Sequence, residues 1–441
     1  MKIAIIGLGF VGLSLASVLG SKSYHIIGID SDKDKISKTK SGKAPFYEPK
    51  LQETLAKALK KSLLISSDIK IAVKKCDLIF VTVGTPQSKN GYIDLKMLTT
   101  AIEQLGNELA KTENKPIIII KSTVVPGTTQ NIVKPILEKN SNKLSGIGFS
   151  LITNPEFLRE GSAIEDTLNP HAIVIGGNDD NAIHKVKQFY KSLYNSKIPI
   201  IITNYQTAEM IKYANNSFLA TKVSFINQIA NICQSLPGTN IDEVAKAIGL
   251  DPRIGNLFLK AGPGYGGSCL PKDLQTIITF SSKVGSKPLL LEAVQQTNEF
   301  QVKNIIRLIQ KLVGNHKRKN ITILGLSFKE NSDDIRESVS IKLIRLLLKK
   351  NTSITVYDPK AMENTKKIFN NKIKYANNIT DSLKNSHCAI IMTSWKQFSR
   401  LNNAHFKNMK RKLIIDTQRI LKNKNSNIEY YALGIGNNLF T

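Results

Sequence analysis

One cysteine stands in a stretch whose side chains barely obstruct it. In Phe258-Leu-Lys-Ala-Gly-Pro-Gly-Tyr-Gly-Gly-Ser-Cys269-Leu-Pro-Lys272-Asp273, glycines at 262, 264, 266 and 267 let backbone N–H groups approach a ligand. Lys272 and Asp273 put a cation and a carboxylate within one turn of the thiol. That set is a nucleophile with an activator and a base. The same residues also describe a small apolar cysteine beside a surface turn, the usual state of a free thiol. Residue types alone leave both readings open.

The elements that must position this loop begin at the N-terminus. Ile3-Ala-Ile-Ile-Gly7-Leu-Gly9-Phe-Val11-Gly12 reads as a β-branched strand, a glycine turn and a helix from near Val11, and the strand 24–29 ends in Asp30. This is the dinucleotide fingerprint in its required context. Gly7 makes the tight turn, Gly9 admits a pyrophosphate, Gly12 permits close helix packing, and Asp30 can bind ribose hydroxyls, which favours NAD over NADP. The pattern then alternates as in a doubly wound α/β sheet, with helices at 33–40, 51–60 and 95–110 and strands at 77–83, 116–120 and 149–153. Functional residues are expected just past such strand ends. There the chain carries Thr85-Pro86, Lys121-Ser122-Thr123 and Asn154-Pro155-Glu156-Phe157-Leu158-Arg159-Glu160. Thr85 and Thr123 also suit ordinary turns. Glu156 and Glu160 share a face if helical, and equally suit a solvated helix start.

From about Thr207 to Leu236 apolar residues at helical spacing predict one long helix, able to link two domains. Lys212 and Asn216 lie on one face of it; the lysine is either a snorkelling side chain or a site cation. Further helices are expected at 241–248, 273–283 and 288–312, making this middle region all-helical. A basic connector, 311–319, precedes Asn320-Ile-Thr-Ile-Leu-Gly325-Leu-Ser-Phe-Lys329, a helix at 338–350 and a strand ending in Asp358. These resemble a second Rossmann-like unit without the three-glycine fingerprint. It suits another nucleotide, or closes a cleft, rather than holding a second NAD. Lys329, Arg336 and Arg419 are its candidate anion-binding groups, or plain surface charges. The expected domains are 1–200, 201–312 and 313–441.

Composition narrows the function classes. At 441 residues the chain has room for two or three domains, and its net charge is +28. Only nine of 62 basic residues are Arg and the lysines are dispersed, so nucleic-acid binding is not expected. Cysteines 76, 233, 269 and 388 have neither C-x-x-C nor metal spacing, so no metal site is predicted. The uncharged run after Lys2 imitates a signal peptide, but its glycines argue against one, and a cytoplasmic, non-membrane protein is expected.

In the same order over almost the whole chain, Gly7-Leu-Gly-Phe-Val-Gly, Thr85-Pro86, Lys121-Ser-Thr-Val-Val-Pro-Gly, Asn154-Pro-Glu-Phe-Leu-Arg-Glu-Gly, Lys212-Tyr-Ala-Asn-Asn, Gly264-Tyr-Gly-Gly-Ser-Cys-Leu-Pro-Lys-Asp and Gly325-Leu-Ser-Phe-Lys resemble the UDP-glucose 6-dehydrogenases, members of the UDP-glucose/GDP-mannose dehydrogenase family. The resemblance implies that Cys269 is the nucleophile, with Lys212, Asn216 and Asp273 around it and Glu160 as general base near Thr123. It implies that NAD meets Gly7, Gly9, Val11, Gly12, Asp30, Lys35, Thr85, Thr123, Glu160, Lys272 and Arg336. The sugar nucleotide would meet Glu156, Phe157, Leu158, Arg159, Lys212, Asn216, Phe258, Leu259, Lys260, Ala261, Gly262, Gly266, Lys329 and Arg419. Arg253 would reach the substrate of a partner subunit, which implies a homodimer. The reaction implied is a four-electron oxidation of UDP-glucose through a cysteine thioester. Ser268 precedes the thiol where the N-acetylmannosamine branch tends to carry His, and a GDP-mannose enzyme or a two-electron hydroxyacid dehydrogenase are the rivals. Pro170-His171-Ala172 departs from the pattern, since the family usually has Arg at the position of Ala172.

Overall fold

Strands such as Ile117–Ile120, four isoleucines in a row, can be satisfied only if both faces of their sheet are covered. A computed structural model of the chain describes residues 1–88, 90–314, 319–422 and 427–437. Its contacts divide into two compact units, Met1–Asn215 and Asn216–Thr441. The first holds an eight-stranded sheet: β1 (Lys2–Ile6), β2 (His25–Ile29), β3 (Leu63–Ser66), β4 (Leu78–Val81), β5 (Ile117–Ile120), β6 (Ser150–Thr153), β7 (Ile173–Gly176) and β8 (Ile200–Thr203), in the order β3-β2-β1-β4-β5-β6-β7-β8. Alternate residues of one strand enter different cores: Ile3 and Ile5 pack with Phe80 and Phe189 on one face, Ala4 and Ile6 with Ile79, Leu98 and Ile102 on the other.

The doubly wound parallel sheet predicted from the sequence is present from β3 to β6. It then changes: β7 pairs with β6 antiparallel and with β8 parallel, so the last two strands run against the rest. Residues 161–204, unassigned by the sequence pattern, supply these strands and the helices Ala163–Leu168 and Asp180–Leu193. The stretch 154–160 is not helical, so the expectation that Glu156 and Glu160 share a helix face fails.

The long helix runs Tyr205–Gln234, and the division between units falls within it. The second unit continues with helices Ile241–Gly249, Leu270–Lys283 and Leu289–Val313. It then forms a fully parallel sheet of β9 (Asn320–Leu324), β10 (Ser353–Tyr357), β11 (Lys374–Tyr375), β12 (Cys388–Ile391), β13 (Leu413–Asp416) and β14 (Glu429–Ala432), ordered β11-β10-β9-β12-β13-β14. The two Rossmann-like units joined through helices are therefore as the sequence predicts. Of the expected 311–319 connector, 315–318 lie outside the described residues. Among the described residues no helix is long and apolar enough to cross a membrane.

The turn from β1 into the first helix, Phe10–Ser21, explains its glycines. Gly7 has φ +94°, and a Cβ on Gly12 would stand 1.9 Å from the Gly7 carbonyl oxygen and 2.4 Å from Thr82 Oγ1. Gly9, by contrast, has nothing within 4 Å of such a Cβ. Gly12→Ala should therefore lower the stability of the ligand-free protein by about 1–3 kcal/mol through overpacking, read as a fall in melting temperature. Gly9→Ala should leave that temperature nearly unchanged.

Candidate functional site

In the first unit the strand-end acid is built into the glycine turn. Asp30 Oδ2 accepts the Leu8 N–H at 2.7 Å and the Lys35 ammonium at 2.9 Å, while Oδ1 accepts, among the described residues, the Asp32 N–H alone, at 2.9 Å. One oxygen thus holds the turn and the other keeps capacity for a ribose hydroxyl. Lys35, expected to meet the cofactor directly, has its charge on Asp30. The first helix starts at Gly9 with no side-chain cap and no acidic residue in its first turn, and half-buried Val11 lies there. Its N-terminal N–H groups are thus suited to an anion. Past β4 and β5, the Thr85 hydroxyl donates to the Thr123 carbonyl at 2.7 Å, locking the two threonine loops together.

Beyond β6 the chain turns into a buried polar cluster. Glu156 Oε1 accepts from the Lys212 ammonium at 3.0 Å, and both side chains are buried. The other carboxylate oxygen accepts the Leu158 N–H. The Lys212 ammonium also lies 5.4 Å from the centre of the Phe157 ring, and the His171 imidazole packs edge-on to that ring at 5.1 Å. So beside Ala172 the Pro-His-Ala segment contributes an aromatic contact. Arg159 is exposed and grips Asp166 through Nε at 3.0 Å and Nη2 at 2.6 Å. Glu160 sits half-buried in the following turn. Glu209, three residues before Lys212, accepts the Gly127 and Thr129 N–H groups at 2.6 and 2.8 Å, fixing the turn that follows Thr123. Burial pushes its carboxyl pKa up.

In the second unit Cys269 is the N-cap of Leu270–Lys283. The helix begins three residues earlier than the sequence predicts because Pro271, at its start, needs no N–H partner there. A helix N-terminus stabilises negative charge on sulfur. The thiol is half-buried, 3.6 Å from the Ser268 hydroxyl, and Cys76, Cys233 and Cys388 are buried. Burial lifts the Cys76 thiol pKa to about 11. Within the same helix Lys272 pairs with Asp273 at 2.5 Å, and Asp273 Oδ2 accepts from Asn216 Nδ2 at 2.6 Å. Asn216 follows Lys212 by one turn of the long helix.

Amides hold the glycine loop. Asn298 clamps Tyr265 at both ends, accepting its N–H at 2.8 Å and donating to its carbonyl at 3.0 Å. The Gly262 N–H goes to Asn227 at 2.8 Å and its carbonyl accepts from Gln301 at 3.1 Å. Sequence reasoning missed all three amides and Glu209, because a polar residue gripping a distant backbone leaves no periodic signal. Ala261 and Gly262 are buried with Leu259, Lys260 is exposed, and Phe258 has φ +65°, a left-handed conformation rare for an aromatic residue. Gly266 lies against the Glu337 carbonyl.

The remaining basic residues have protein partners. The Arg419 side chain is buried, and its guanidinium donates to Asp242, to the Leu433 carbonyl at 3.0 Å and to the Ala261 carbonyl at 2.7 Å. It thus serves as a clamp on the glycine loop. Arg336 chelates Asp334, Arg253 chelates Asp251 with its side chain 87% exposed, and the Lys329 ammonium stands 5.9 Å from the Phe328 ring. Asp358, the counterpart of Asp30, accepts from Leu326 N, Ser327 N and Oγ and Trp395 Nε1 on one oxygen and from Lys360 N and Ala361 N on the other.

Known proteins match this arrangement along the chain. The NAD binding, central and UDP binding domains of the UDP-glucose/GDP-mannose dehydrogenase family match residues 1–194, 206–300 and 322–423. The chain is 37% identical to the UDP-glucose 6-dehydrogenase AglM of Haloferax volcanii, over 98% of this chain and 100% of that one. A putative UDP-glucose 6-dehydrogenase of Bacillus subtilis is 38% identical over 96% of each chain. The solved UDP-glucose dehydrogenase of Pyrobaculum islandicum superposes with a TM-score of 0.90 at 32% identity, covering 99% of this chain and 97% of that one. The GDP-mannose dehydrogenase of Pseudomonas aeruginosa gives only 0.56 at 30% identity, over 98% and 99% of the two chains. With its glycine turn, strand-end acid and helix-capping thiol in family order, the chain belongs to the UDP-glucose/GDP-mannose dehydrogenase family.

Proposed function

We propose that the chain oxidises the primary alcohol of UDP-glucose to the carboxylate of UDP-glucuronate, with NAD as acceptor and Cys269 as covalent relay. The observation that carries this reading is the thiol at a helix N-cap, with Lys272 and Asp273 in that helix's first turn. The chain is an NAD-dependent oxidoreductase of its family, and its residues fit the cofactor. The open space over Gly9, the uncapped N–H groups behind it and the Asp30 oxygen suit a pyrophosphate and a ribose. Gly7, Gly12, Val11, Lys35, Thr85, Thr123, Glu160, Lys272 and Arg336 complete the proposed cofactor set. When bound, NAD would supply the hydride acceptor for each of two oxidations, with the hydroxyl proton released at each passing to Glu160 or Asp273.

The chain's own residues do the rest. The Cys269 sulfur adds to the aldehyde carbon left by the first oxidation, forming a thiohemiacetal, which the second oxidation converts to a thioester. Water then attacks the thioester carbon, the carbon–sulfur bond breaks, and the thiolate leaves with the electron pair. Lys212 and Asn216 stabilise the oxyanion in these additions, and Glu160 or Asp273 takes the proton of the attacking water. Glu156 to Arg159, Phe258 to Gly262, Gly266 and Lys329 hold the sugar nucleotide, and Arg419 contributes by fixing the Ala261 carbonyl. The division of labour is NAD binding by 1–200, the thiol and dimerisation by 201–312 and UDP binding by 313–441.

A homodimer is part of the proposal. Phe218, Phe225 and Ile232 recur every seven residues on the long helix with exposures of 65%, 52% and 50%, a stripe that a second copy would cover. Arg253 would then serve the partner's substrate. A cytoplasmic location accords with four cysteines that form no disulfide.

Three measurements test the proposal. Purified enzyme with excess NAD should form two NADH per UDP-glucuronate and prefer UDP-glucose to UDP-N-acetylmannosamine and GDP-mannose by several orders of magnitude in kcat/KM; one NADH per sugar, or another preferred sugar, would refute it. Cys269→Ala should abolish uronate formation while NAD still binds with wild-type Kd, and wild-type turnover in that variant would end the covalent scheme. Phe218→Asp with Phe225→Asp should sediment as a monomer, whereas an undisturbed dimer would place the interface elsewhere.

A further inference from the structure

Lys121 directly follows β5, at the carboxyl end of the parallel strands, where ligands of such sheets sit. Its side chain is buried, yet among the described residues its ammonium donates to neutral oxygens, Asn154 Oδ1 at 3.0 Å and the Asn154 carbonyl at 3.4 Å. Asn154 does not need the lysine for its own satisfaction. The Tyr190 hydroxyl donates to the same Oδ1, and Asn154 Nδ2 donates to the Val174 carbonyl at 2.7 Å. The charged groups acting on Lys121 are the Glu156 carboxylate on the 154–160 segment, which attracts it, and the Lys212 ammonium on the long helix, which repels it. The helix Asp180–Leu193 contributes the Tyr190 phenol, kept neutral by burial.

A methionine would fill the same volume without the cost of a buried charge. The fold therefore keeps a destabilising group beside a functional ion pair, the pattern expected where activity and stability conflict. We propose that Lys121 is a positioning residue for the reaction: its ammonium pins Asn154 and, across Pro155, sets the Glu156 carboxylate where Lys212 meets it. The proposal rests on the functional reading above, in which Glu156 meets the sugar nucleotide and Lys212 stabilises the oxyanion.

Burial, the largest influence, holds the Lys121 pKa down to about 8, below its ordinary value of 10.5. Between those two values the unfolded chain retains a proton that the folded protein has lost, so this residue's contribution to stability rises as pH rises through that window. Lys121→Met should accordingly melt higher than wild type at pH 7, with the difference shrinking towards pH 10. Its kcat should fall about ten- to a hundredfold from misplacement of Glu156, with the KM for NAD little changed. Lys121→Gln, which keeps a donor but no charge, serves if the methionine variant fails to fold, and should show the same loss of kcat. Wild-type kcat in either folded variant overturns the proposal, as does a variant that melts lower at pH 7 and loses kcat and NAD affinity together, the behaviour of a mere structural prop. A wild-type enzyme that forms no NADH with any nucleotide sugar overturns the functional reading instead, and this proposal with it.

Discussion

The architecture depends on a carboxylate at a strand end receiving the N–H groups of the neighbouring glycine turn. A chain leaving β1 has backbone donors that the sheet no longer satisfies, and burying them unpaired is costly. Asp30 answers one through Leu8, and in the second unit Asp358 answers two, through Leu326 and Ser327. Once the turn is held, the following helix can start close to the strand, which the Gly12 contact with Gly7 requires.

The two acids differ in what they have left over. Among the described residues Asp30 receives one N–H on its second oxygen, whereas Asp358 has six protein donors, including the indole of Trp395. A carboxylate saturated by its own protein has no capacity for a ribose. The same motif therefore keeps acceptor capacity in one unit and is spent on the fold in the other. This accounts for a single NAD fingerprint in a chain with two Rossmann-like sheets.

Much of this was legible in the sequence. Apolar runs marked strands such as Lys2–Ile6, Leu78–Val81 and Ile117–Ile120, because a doubly covered sheet demands them, and the turn glycines were legible in their spacing, whereas Ile173–Gly176 and Ile200–Thr203 were not recognised. Two features escaped. Nothing in Ile173–Gly176 or Ile200–Thr203 tells a strand which way to run, since direction is set by the connections around it. The amides Asn227, Asn298 and Gln301 drew no notice in the sequence, because their partners are backbone groups of a loop tens of residues away. Arg419 was legible as a cation but not as a clamp. Its use became apparent only when Asp242 and Ala261 were found around it.

The end of the chain reaches back to the helical region. Gln234 accepts the Gly434 N–H across 200 residues, Ile241 donates to the Gly434 carbonyl, and Gly436 donates to Thr239. During synthesis the helices at 205–249 leave the ribosome long before this strap exists. Until it arrives, Ala230 and Ile241 lack the backbone of Gly434 that packs against them. The helical cluster of the second unit therefore receives these last hydrogen bonds only once residues 434–436 have emerged, whereas the first unit has all its strands by residue 203.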